Sequence, residues 1–159
     1  MIDVTCIGIL VADVIAKPVD SIPKPGLLER IDSIAIYSGG CAMSAGIDMA
    51  KIGLKTAVLG KTGNDSFGSF LREELEKYGV ETKGVAVDDK IQTSASVVIS
   101  ASNGERSFLH TVGANGTFCY EDVNWDVIED SRIVFVAGTM LMDAFDGEDC
   151  ARVLKKCKE

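Results

Sequence analysis

Dense positive charge, long apolar runs and histidine are all scarce in this 159-residue sequence. Lys and Arg number 16 against 24 Asp and Glu, the formal net charge is −8, and the longest basic run is Lys155-Lys156. Nucleic acids and anionic membrane surfaces are bound through concentrated basic patches, so the charge argues against both as partners. The most apolar segment, residues 6–12, is far too short to span a bilayer.

Cysteines are present, but they lack the spacing of a zinc site or a disulfide framework. The sequence has five, an odd number, and no two of them stand in Cys-x-x-Cys order. Buried, reduced thiols are therefore predicted for Cys6, Cys41, Cys119, Cys150 and Cys157. Because no basic segment precedes the first apolar run, a secretory signal is not expected, and the sequence predicts a cytoplasmic protein.

Apolar runs alternate with helical patterns along the chain. The runs predict buried strands at residues 4–15, 55–60 and 132–138. Apolar residues at helical spacing predict helices at residues 41–53, 64–79, 120–131 and 146–159. Such alternation within one domain predicts a mainly parallel sheet with helices on its faces.

Start and stop signals mark the two clearest helices. Gly53 is expected to end the first, and Gly79 the second. Asp65 is expected to cap the start of the second helix. The aromatic residues of this second helix are predicted to lie in the core: Phe67, Phe70 and Tyr78. The C-terminal helix is predicted to have one apolar stripe formed by Cys150, Val153, Leu154 and Cys157.

Residues 92–110 read as a β-hairpin. Two β-rich arms flank Asn103-Gly104, a pair that favours a tight type I′ turn. The second arm is too polar for the middle of a parallel sheet. The hairpin is therefore predicted to belong to a small antiparallel flap that projects from the main body.

Residues 56–68, TAVLGKTGNDSFG, raise the question of a phosphate-binding loop. A P-loop needs Gly-x-x-x-x-Gly-Lys-Ser/Thr, because the first glycine lets the loop wrap its N–H groups around phosphate oxygens. Five positions before Gly60 stands Lys55, and Gly53 is out of register by two. The segment is therefore not a P-loop, and Lys61 is expected to lie in solvent.

Residues 37–68 combine a glycine pair, a small-residue helix, a strand and a glycine-rich turn in a fixed order. The pair is Gly39-Gly40, the helix closes with Ile52-Gly53, and the turn carries Gly60, Gly63, Asp65, Phe67 and Gly68. This arrangement resembles the N-terminal signature of the ribokinase (PfkB-type) carbohydrate kinases. Residues 8–14 resemble the family's first strand with its closing Asp13, and residues 93–115 resemble its lid hairpin and Gly-Ala-Asn turn.

The resemblance runs from Asp3 to about Gly138 and implies a fold and a chemistry. The implied fold is an α/β sandwich with a mainly parallel central sheet and a small antiparallel β lid. Residues 1–159 would be the N-terminal part of one kinase domain, with lid strands from about 15–38 and 91–112. The resemblance also implies ATP and Mg²⁺ as cofactors, a sugar or nucleoside as substrate, and pairing of two copies through their lids.

Seven substrate-binding residues follow from the resemblance. Asp13 can accept hydrogen bonds from two adjacent sugar hydroxyls. Gly39 and Gly40 let the backbone approach a ligand at a helix start, where N–H groups are unpaired. The others are Ser96 and His110 on the lid, Thr139 after the last strand, and Ser44 where many members have Asn. Since a hydroxyl lacks the paired donor and acceptor of an amide, Ser44 predicts a different substrate or orientation.

No catalytic residue is expected within this chain. The family's Gly-Ala-Gly-Asp motif, whose Asp is the catalytic base, does not occur in the 159 residues, and family members are much longer. The chain is interpreted as the apparently truncated substrate-and-lid half of an ATP-dependent kinase. One alternative is a non-catalytic sugar-binding or assembly module of the same fold. Another, a dinucleotide-binding domain, is disfavoured because Gly39-Gly40 lacks the Gly-x-Gly-x-x-Gly spacing.

Overall fold

Two four-stranded sheets organise the chain in the computed structural model, which describes residues 1–158. The first sheet is wholly parallel and has the order β5-β4-β1-β8. Its strands are β1 Ile2–Gly8, β4 Thr56–Gly63, β5 Val85–Asp88 and β8 Ser131–Ala137. The predicted parallel sheet is therefore confirmed.

Helices cover both faces of the parallel sheet. They are α1 Cys41–Lys51, α2 Ser66–Lys77, α3 Trp125–Glu129 and α4 Glu148–Lys156. Helices α1 and α2 pack on one face around Cys6 and Met43, while α3 and α4 pack on the other around Ile7 and Phe145. Since successive strand residues point to opposite faces, Cys6 and Ile7 of β1 belong to different cores.

The second sheet is small and has the order β3-β2-β6-β7. Its strands are β2 Val11–Lys17, β3 Ser33–Gly39, β6 Ala95–Ser100 and β7 Arg106–Thr111. Strand β2 pairs antiparallel with β3 but parallel with β6, and β6 pairs antiparallel with β7. The second sheet is thus mixed rather than wholly antiparallel, within the predicted α/β class.

The first apolar run enters both sheets. Residues 4–15 were expected to form one strand, but the chain leaves the parallel sheet after Gly8 and joins the second sheet at Val11. Asp13 therefore lies inside β2 and not at the end of the first strand. Both parts are apolar because both are largely buried, so the sequence pattern contains no mark of the change of sheet.

The hairpin between β6 and β7 is confirmed, but its predicted turn type is wrong. The Ala101 N–H donates to the Glu105 oxygen, and the Gly104 N–H donates to the Ala101 oxygen, each at 2.9–3.0 Å. Gly104 has a φ of 88°, whereas Asn103 has a negative φ, which a type I′ turn does not allow. The loop is a three-residue one in which a type I turn is followed by a left-handed glycine.

The predicted helix ends are confirmed. Gly53 and Gly79 follow α1 and α2 with φ values of 96° and 72°, which glycine adopts without strain. The aromatic residues at the ends of α2 are not core residues, however, because Phe67 and Tyr78 are 37% and 36% exposed. The buried stripe of α2 is centred on Leu71 and Leu75, and these rings lie at its margins.

The predicted helix at residues 120–131 is shorter than expected. It divides into a 3₁₀ turn at Tyr120–Asp122 and the helix α3. In α4, Cys150 and Val153 are buried as predicted, but Leu154 and Cys157 are exposed. The predicted four-residue stripe is therefore only partly correct.

Strand β8 is less buried than its sequence predicts. Ile133 and Phe135 are 58% and 41% exposed. They pair with Val4 and Cys6 of β1, so they share the sheet face that α1 and α2 cover. Within residues 1–158, β8 is an edge strand of the parallel sheet, and the helices do not reach across it.

The cysteines are free thiols, as expected, but not all of them are buried. Cys6 and Cys150 are buried, whereas Cys41 and Cys157 are exposed and Cys119 is intermediate. Burial raises the pKa of the Cys6 thiol to about 11. Among residues 1–158, no helix is long and apolar enough to cross a membrane.

Asp65 joins α2 to the segment that enters β6. Its carboxylate accepts hydrogen bonds from the Gly68 N–H at 2.8 Å, the Thr93 N–H at 2.8 Å and the Thr93 hydroxyl at 2.7 Å. Partial burial raises the pKa of Asp65, but these hydrogen bonds outweigh it, so the pKa lies below its ordinary value of 3.8. The helix cap is therefore also a tertiary link.

Replacing Asp65 with alanine is expected to lower the free energy of unfolding by about 1–2 kcal/mol, because the N-terminal cap of α2 is lost. Denaturant titration measures this change. Asp48→Ala is the control, since Asp48 lies on the exposed side of α1 and forms only a surface ion pair with Lys51. Equal effects of the two substitutions would contradict the assigned cap.

The contribution of Asp65 should also depend on pH. A carboxyl group with a lowered folded pKa stabilises the fold fully above its unfolded value of 3.8, and this stabilisation is lost as the pH falls through the folded pKa. The difference in stability between the wild type and Asp65→Ala should therefore stay constant near neutral pH and shrink in acid. A difference that grows on acidification would refute the assigned shift.

Candidate functional site

Three of the predicted site residues lie side by side on the second sheet. Asp13 of β2 is paired in register with Ser96 of β6, and Ser96 is paired with His110 of β7. The Ser96 hydroxyl and His110 Nδ1 are 3.1 Å apart, within hydrogen-bond distance. Paired residues on neighbouring strands project from the same face, so the carboxylate, hydroxyl and imidazole form one polar row.

Gly39 lies directly against this row. It is buried at the end of β3, and a methyl group built on its Cα would overlap the Asp13 carboxylate. Only glycine leaves room for Asp13 in this position. The prediction that Asp13 and the glycine pair lie together is therefore supported by the geometry.

Gly40 turns the chain from β3 into α1. Its φ is 97°, in the left-handed region that favours glycine, and no side chain caps the start of this helix. A Cβ at Gly40 would meet backbone atoms of Ile9 and Leu10. The first N–H groups of α1 therefore start beside the segment that joins the two sheets, close to the polar row.

The other two predicted site residues are exposed and have weaker links to the row. Ser44 lies in the first turn of α1, where its N–H donates to the Gly40 oxygen at 2.9 Å. Thr139 follows β8 and is exposed at the carboxyl end of the parallel sheet. Within residues 1–158, no hydrogen bond or ion pair joins either residue to Asp13, Ser96 or His110.

A cavity of about 210 Å³ lies beside His110. Apolar residues make most of its wall, including Ile9, Val112, Met140 and Leu141, and Asn115 and Asp143 add polar groups. Met140 has a φ of 73°, a left-handed conformation uncommon for a non-glycine residue. Sequence reasoning missed this cavity because its walls come from β7, the Gly-Ala-Asn turn and the segment after β8.

Lys61 is not in solvent, contrary to prediction. Its side chain is 13% exposed and forms ion pairs with Asp122 at 3.0 Å and Asp88 at 3.7 Å. The neighbouring Thr62 hydroxyl accepts a hydrogen bond from Arg72 at 2.7 Å. The polar side chains of Gly-Lys-Thr are therefore used inside the protein, which agrees with the rejection of a P-loop.

Among residues 1–158, no three His, Cys, Asp or Glu side chains come together in a way that could hold a metal ion. Asp13 stands with a serine and a histidine rather than with further carboxylates. The polar row is accordingly suited to neutral hydroxyl groups, which both donate and accept hydrogen bonds.

An α/β body with a helix-covered parallel sheet and a second, small mixed sheet beside it is the architecture of the ribokinase-like fold class. The ribokinase of Thermotoga maritima has this fold, with a TM-score of 0.71 at 24% identity over 84% of this chain and 44% of its own. The model of the pfkB family of carbohydrate kinases matches residues 1–159. The chain belongs to the pfkB family of carbohydrate kinases.

Relatives within the family are described as sugar kinases. An uncharacterized sugar kinase of Pyrococcus horikoshii is 30% identical over 98% of this chain and 48% of its own length. Its structure in complex with ATP gives a TM-score of 0.73, again over 98% of this chain and 48% of its own. Fructokinase-2 of Oryza sativa is 32% identical over 60% of this chain and 29% of its own length. This chain thus spans about half the length of the Pyrococcus relative, and less of the rice one.

The contact between Gly39 and Asp13 can be tested by a double substitution. Gly39→Ala is expected to lower the free energy of unfolding by about 1 kcal/mol, because the added methyl forces the Asp13 carboxylate out of its place. In an Asp13→Ala background the same substitution should cost much less, since the overlapping group is gone. Denaturant titration of the four proteins in the cycle measures the coupling.

Gly40→Ala is the matched control for this cycle. Its added methyl would meet Ile9 and Leu10 backbone atoms and strain a φ of 97°, neither of which depends on Asp13. Asp13→Ala should therefore not relieve Gly40→Ala. Equal relief of both glycine substitutions, or of neither, would mean that Asp13 does not lie over Gly39.

Proposed function

We propose that these residues form the sugar-binding part of an ATP-dependent kinase that phosphorylates a hydroxyl group of a sugar or nucleoside. The observation that carries the proposal is the polar row of Asp13, Ser96 and His110 with Gly39 directly against it. Membership of the pfkB family supports the reaction type. The fructokinases and sugar kinases among the relatives support a polyhydroxylated substrate.

Each group in the proposed site has a separate task. The Asp13 carboxylate accepts from two neighbouring sugar hydroxyls, which are charge-assisted contacts and hence strong. Ser96 and His110 orient a further hydroxyl, since their mutual hydrogen bond leaves one of them free to donate and the other to accept. The N–H groups at the start of α1, reached across Gly39 and Gly40, bind a substrate oxygen. Ser44 and Thr139 complete the site at its exposed side.

The second sheet is proposed to be a lid over the bound sugar, with lid strands drawn from about 15–38 and 91–112. A lid excludes water, which would otherwise compete with the sugar hydroxyl for the phosphoryl group. The exposed position of His110 on β7 is consistent with this role, because a bound ligand would cover it. The free thiols are consistent with a reducing compartment, so we propose a cytoplasmic location.

ATP is proposed as the phosphoryl donor, and the ATP-bound structure of the Pyrococcus relative supports this choice. The 159 residues contain no Gly-Ala-Gly-Asp sequence, which the family resemblance implies for the catalytic base. We therefore expect these residues alone to bind sugar without transferring phosphate. The same observation keeps a non-catalytic sugar-binding module of this fold as the second candidate.

Pairing of two copies through the lid is also proposed. An apolar row crosses all four strands of the second sheet on the face opposite Asp13, formed by Ile36, Val14, Val97 and Leu109. Val97 and Leu109 are 43% and 67% exposed. A flat apolar row of this kind can pack against its own copy about a two-fold axis, and burial of both rows would favour association.

Sugar binding by the 159-residue protein is the first test. Titration calorimetry with D-fructose, D-ribose and adenosine should detect binding of at least one, and Asp13→Asn should weaken it by about tenfold or more because a charge-assisted acceptor is lost. Asp48→Asn is the control, since it removes the same charge from the exposed side of α1. Phosphorylated product should not form when ATP and Mg²⁺ are added.

Two outcomes would contradict the proposal. Equal sugar affinity in the wild type and Asp13→Asn would mean that the polar row does not bind the sugar. Turnover of ATP with sugar by these 159 residues alone would show that the catalytic base lies among them. Binding without turnover in the natural protein at its full length would favour the non-catalytic module.

Association through the lid is tested by sedimentation at increasing protein concentration. Leu109→Glu and Val97→Glu should each reduce dimer formation, because they place a charge in the apolar row. Phe135→Glu is the control, since Phe135 is exposed on the edge strand β8 of the other sheet. A dimer lost only in Phe135→Glu would assign the association to the parallel sheet and contradict pairing through the lid.

A further inference from the structure

The side chain of Asn115 holds a single backbone position by two hydrogen bonds. Its Oδ1 accepts from the Leu10 N–H at 3.1 Å, and its Nδ2 donates to the Leu10 oxygen at 2.9 Å. Asn115 is only 3% exposed and Leu10 is fully buried. Since both atoms of the Leu10 backbone would otherwise be buried without partners, an amide is the side-chain group that fits.

Leu10 lies where the chain passes from one sheet to the other. Gly8 ends β1 and Val11 begins β2, so Leu10 lies outside both strands. Gly40, at the start of α1, packs against the Ile9 carbonyl and Leu10 Cα. The Asn115 side chain therefore fixes the backbone that carries Asp13 into the second sheet, beside the glycine pair.

Asn115 itself belongs to the 3₁₀ turn Gly113–Thr117, which follows β7. The Ala114 N–H donates to the Gln92 oxygen at 2.9 Å, which ties the turn to the segment before β6. The ammonium group of Lys61, at the end of β4, donates to the Thr117 oxygen at 3.4 Å. The turn is thus anchored to the parallel sheet and to the strands that carry Ser96 and His110.

We propose that Asn115 is a positioning residue for the sugar site: through its two hydrogen bonds to Leu10 it sets the placement of Asp13, Ser96 and His110 relative to Gly40 and the start of α1. This inference rests on the proposed sugar-binding function. The physical reason is that the polar row and the start of α1 belong to different parts of the fold. The row and Gly39 belong to the second sheet, whereas Gly40 starts a helix that packs on the parallel sheet. The two hydrogen bonds between Asn115 and Leu10 lie where these two parts of the fold meet.

A matched pair of substitutions separates positioning from general stability. Asn115→Ala removes both side-chain hydrogen bonds to the Leu10 backbone. Asn124→Ala removes a similar pair of side-chain bonds, to the Val127 N–H and the Lys83 oxygen, at the start of α3 and away from the polar row. Both variants lose two hydrogen bonds of an asparagine amide, so both are expected to unfold more easily.

The first measurement does not depend on any sugar. In amide NMR spectra, Asn115→Ala should shift the signals of Asp13, Ser96, Gly39 and Gly40, whereas Asn124→Ala should leave these four signals in place. Should Asn115→Ala fail to fold, Asn115→Asp keeps the side-chain volume and the acceptor for the Leu10 N–H, and the same four signals should shift. Changes confined to Leu10 and the turn itself would overturn the inference.

The second measurement is the affinity for the tightest-binding compound among D-fructose, D-ribose and adenosine, by calorimetry. Asn115→Ala should weaken it by about tenfold or more, since small displacements of a binding group are costly, and Asn124→Ala should not change it. Equal losses in both variants would reduce Asn115 to a stabilising residue and overturn the inference. If the wild type binds none of the three compounds, the proposed function fails, and the NMR shifts alone decide the role of Asn115.

Discussion

The backbone of Leu10 is the point on which both the fold and the candidate site depend. One continuous segment runs through both sheets, and its backbone must change hydrogen-bond partners between Gly8 and Val11. At that change the ladders of both sheets are interrupted, and a buried peptide group without a partner would be costly. The Asn115 amide supplies both partners from a turn 105 residues further along the chain. The junction is therefore closed by tertiary structure, and the polar row stands three residues beyond it.

Gly39 and the partly buried Lys61 illustrate how the surrounding fold limits side chains near the site. The Asp13 carboxylate occupies the space above Gly39 that any Cβ would fill. On the opposite side of the junction, Lys61 crosses from β4 to Asp122 and holds the carbonyl of Thr117. Lys61 therefore links the end of the Gly-Ala-Asn turn to β4 and to Asp122. Because of the close packing at Gly39 and the ion pairs of Lys61, the site residues can move little unless the surrounding backbone also moves.

Local signals in the sequence were sufficient for the family and for most of the elements, although β5 was not predicted and the run at residues 4–15 forms two strands. Capping by Asp65 and the glycine stops after α1 and α2 follow from backbone chemistry within a few residues, and the structure has them where they were predicted. The hairpin arms and the parallel sheet were also predicted, because alternation and apolar runs reflect burial directly. Errors arose where burial depends on neighbours distant in sequence. Phe67 and Tyr78 have helical spacing with Leu71, yet they fall at the margin of the core, and Ile133 and Phe135 are uncovered because β8 is at an edge.

The class of fold, the ends of α1 and α2 and the set of polar and glycine residues that the pfkB resemblance marks could be predicted, since they depend on short-range patterns of residue type. Contacts between residues distant in sequence account for the rest: the division of one apolar run between two sheets, the row of Asp13, Ser96 and His110, and the ion pairs of Lys61. Strand register and ion pairing join residues up to about a hundred positions apart, and no pattern of local propensity encodes which of them will meet. The role of Asn115 likewise depends on the tertiary structure, because its amide forms these two hydrogen bonds only when Leu10 lies beside it.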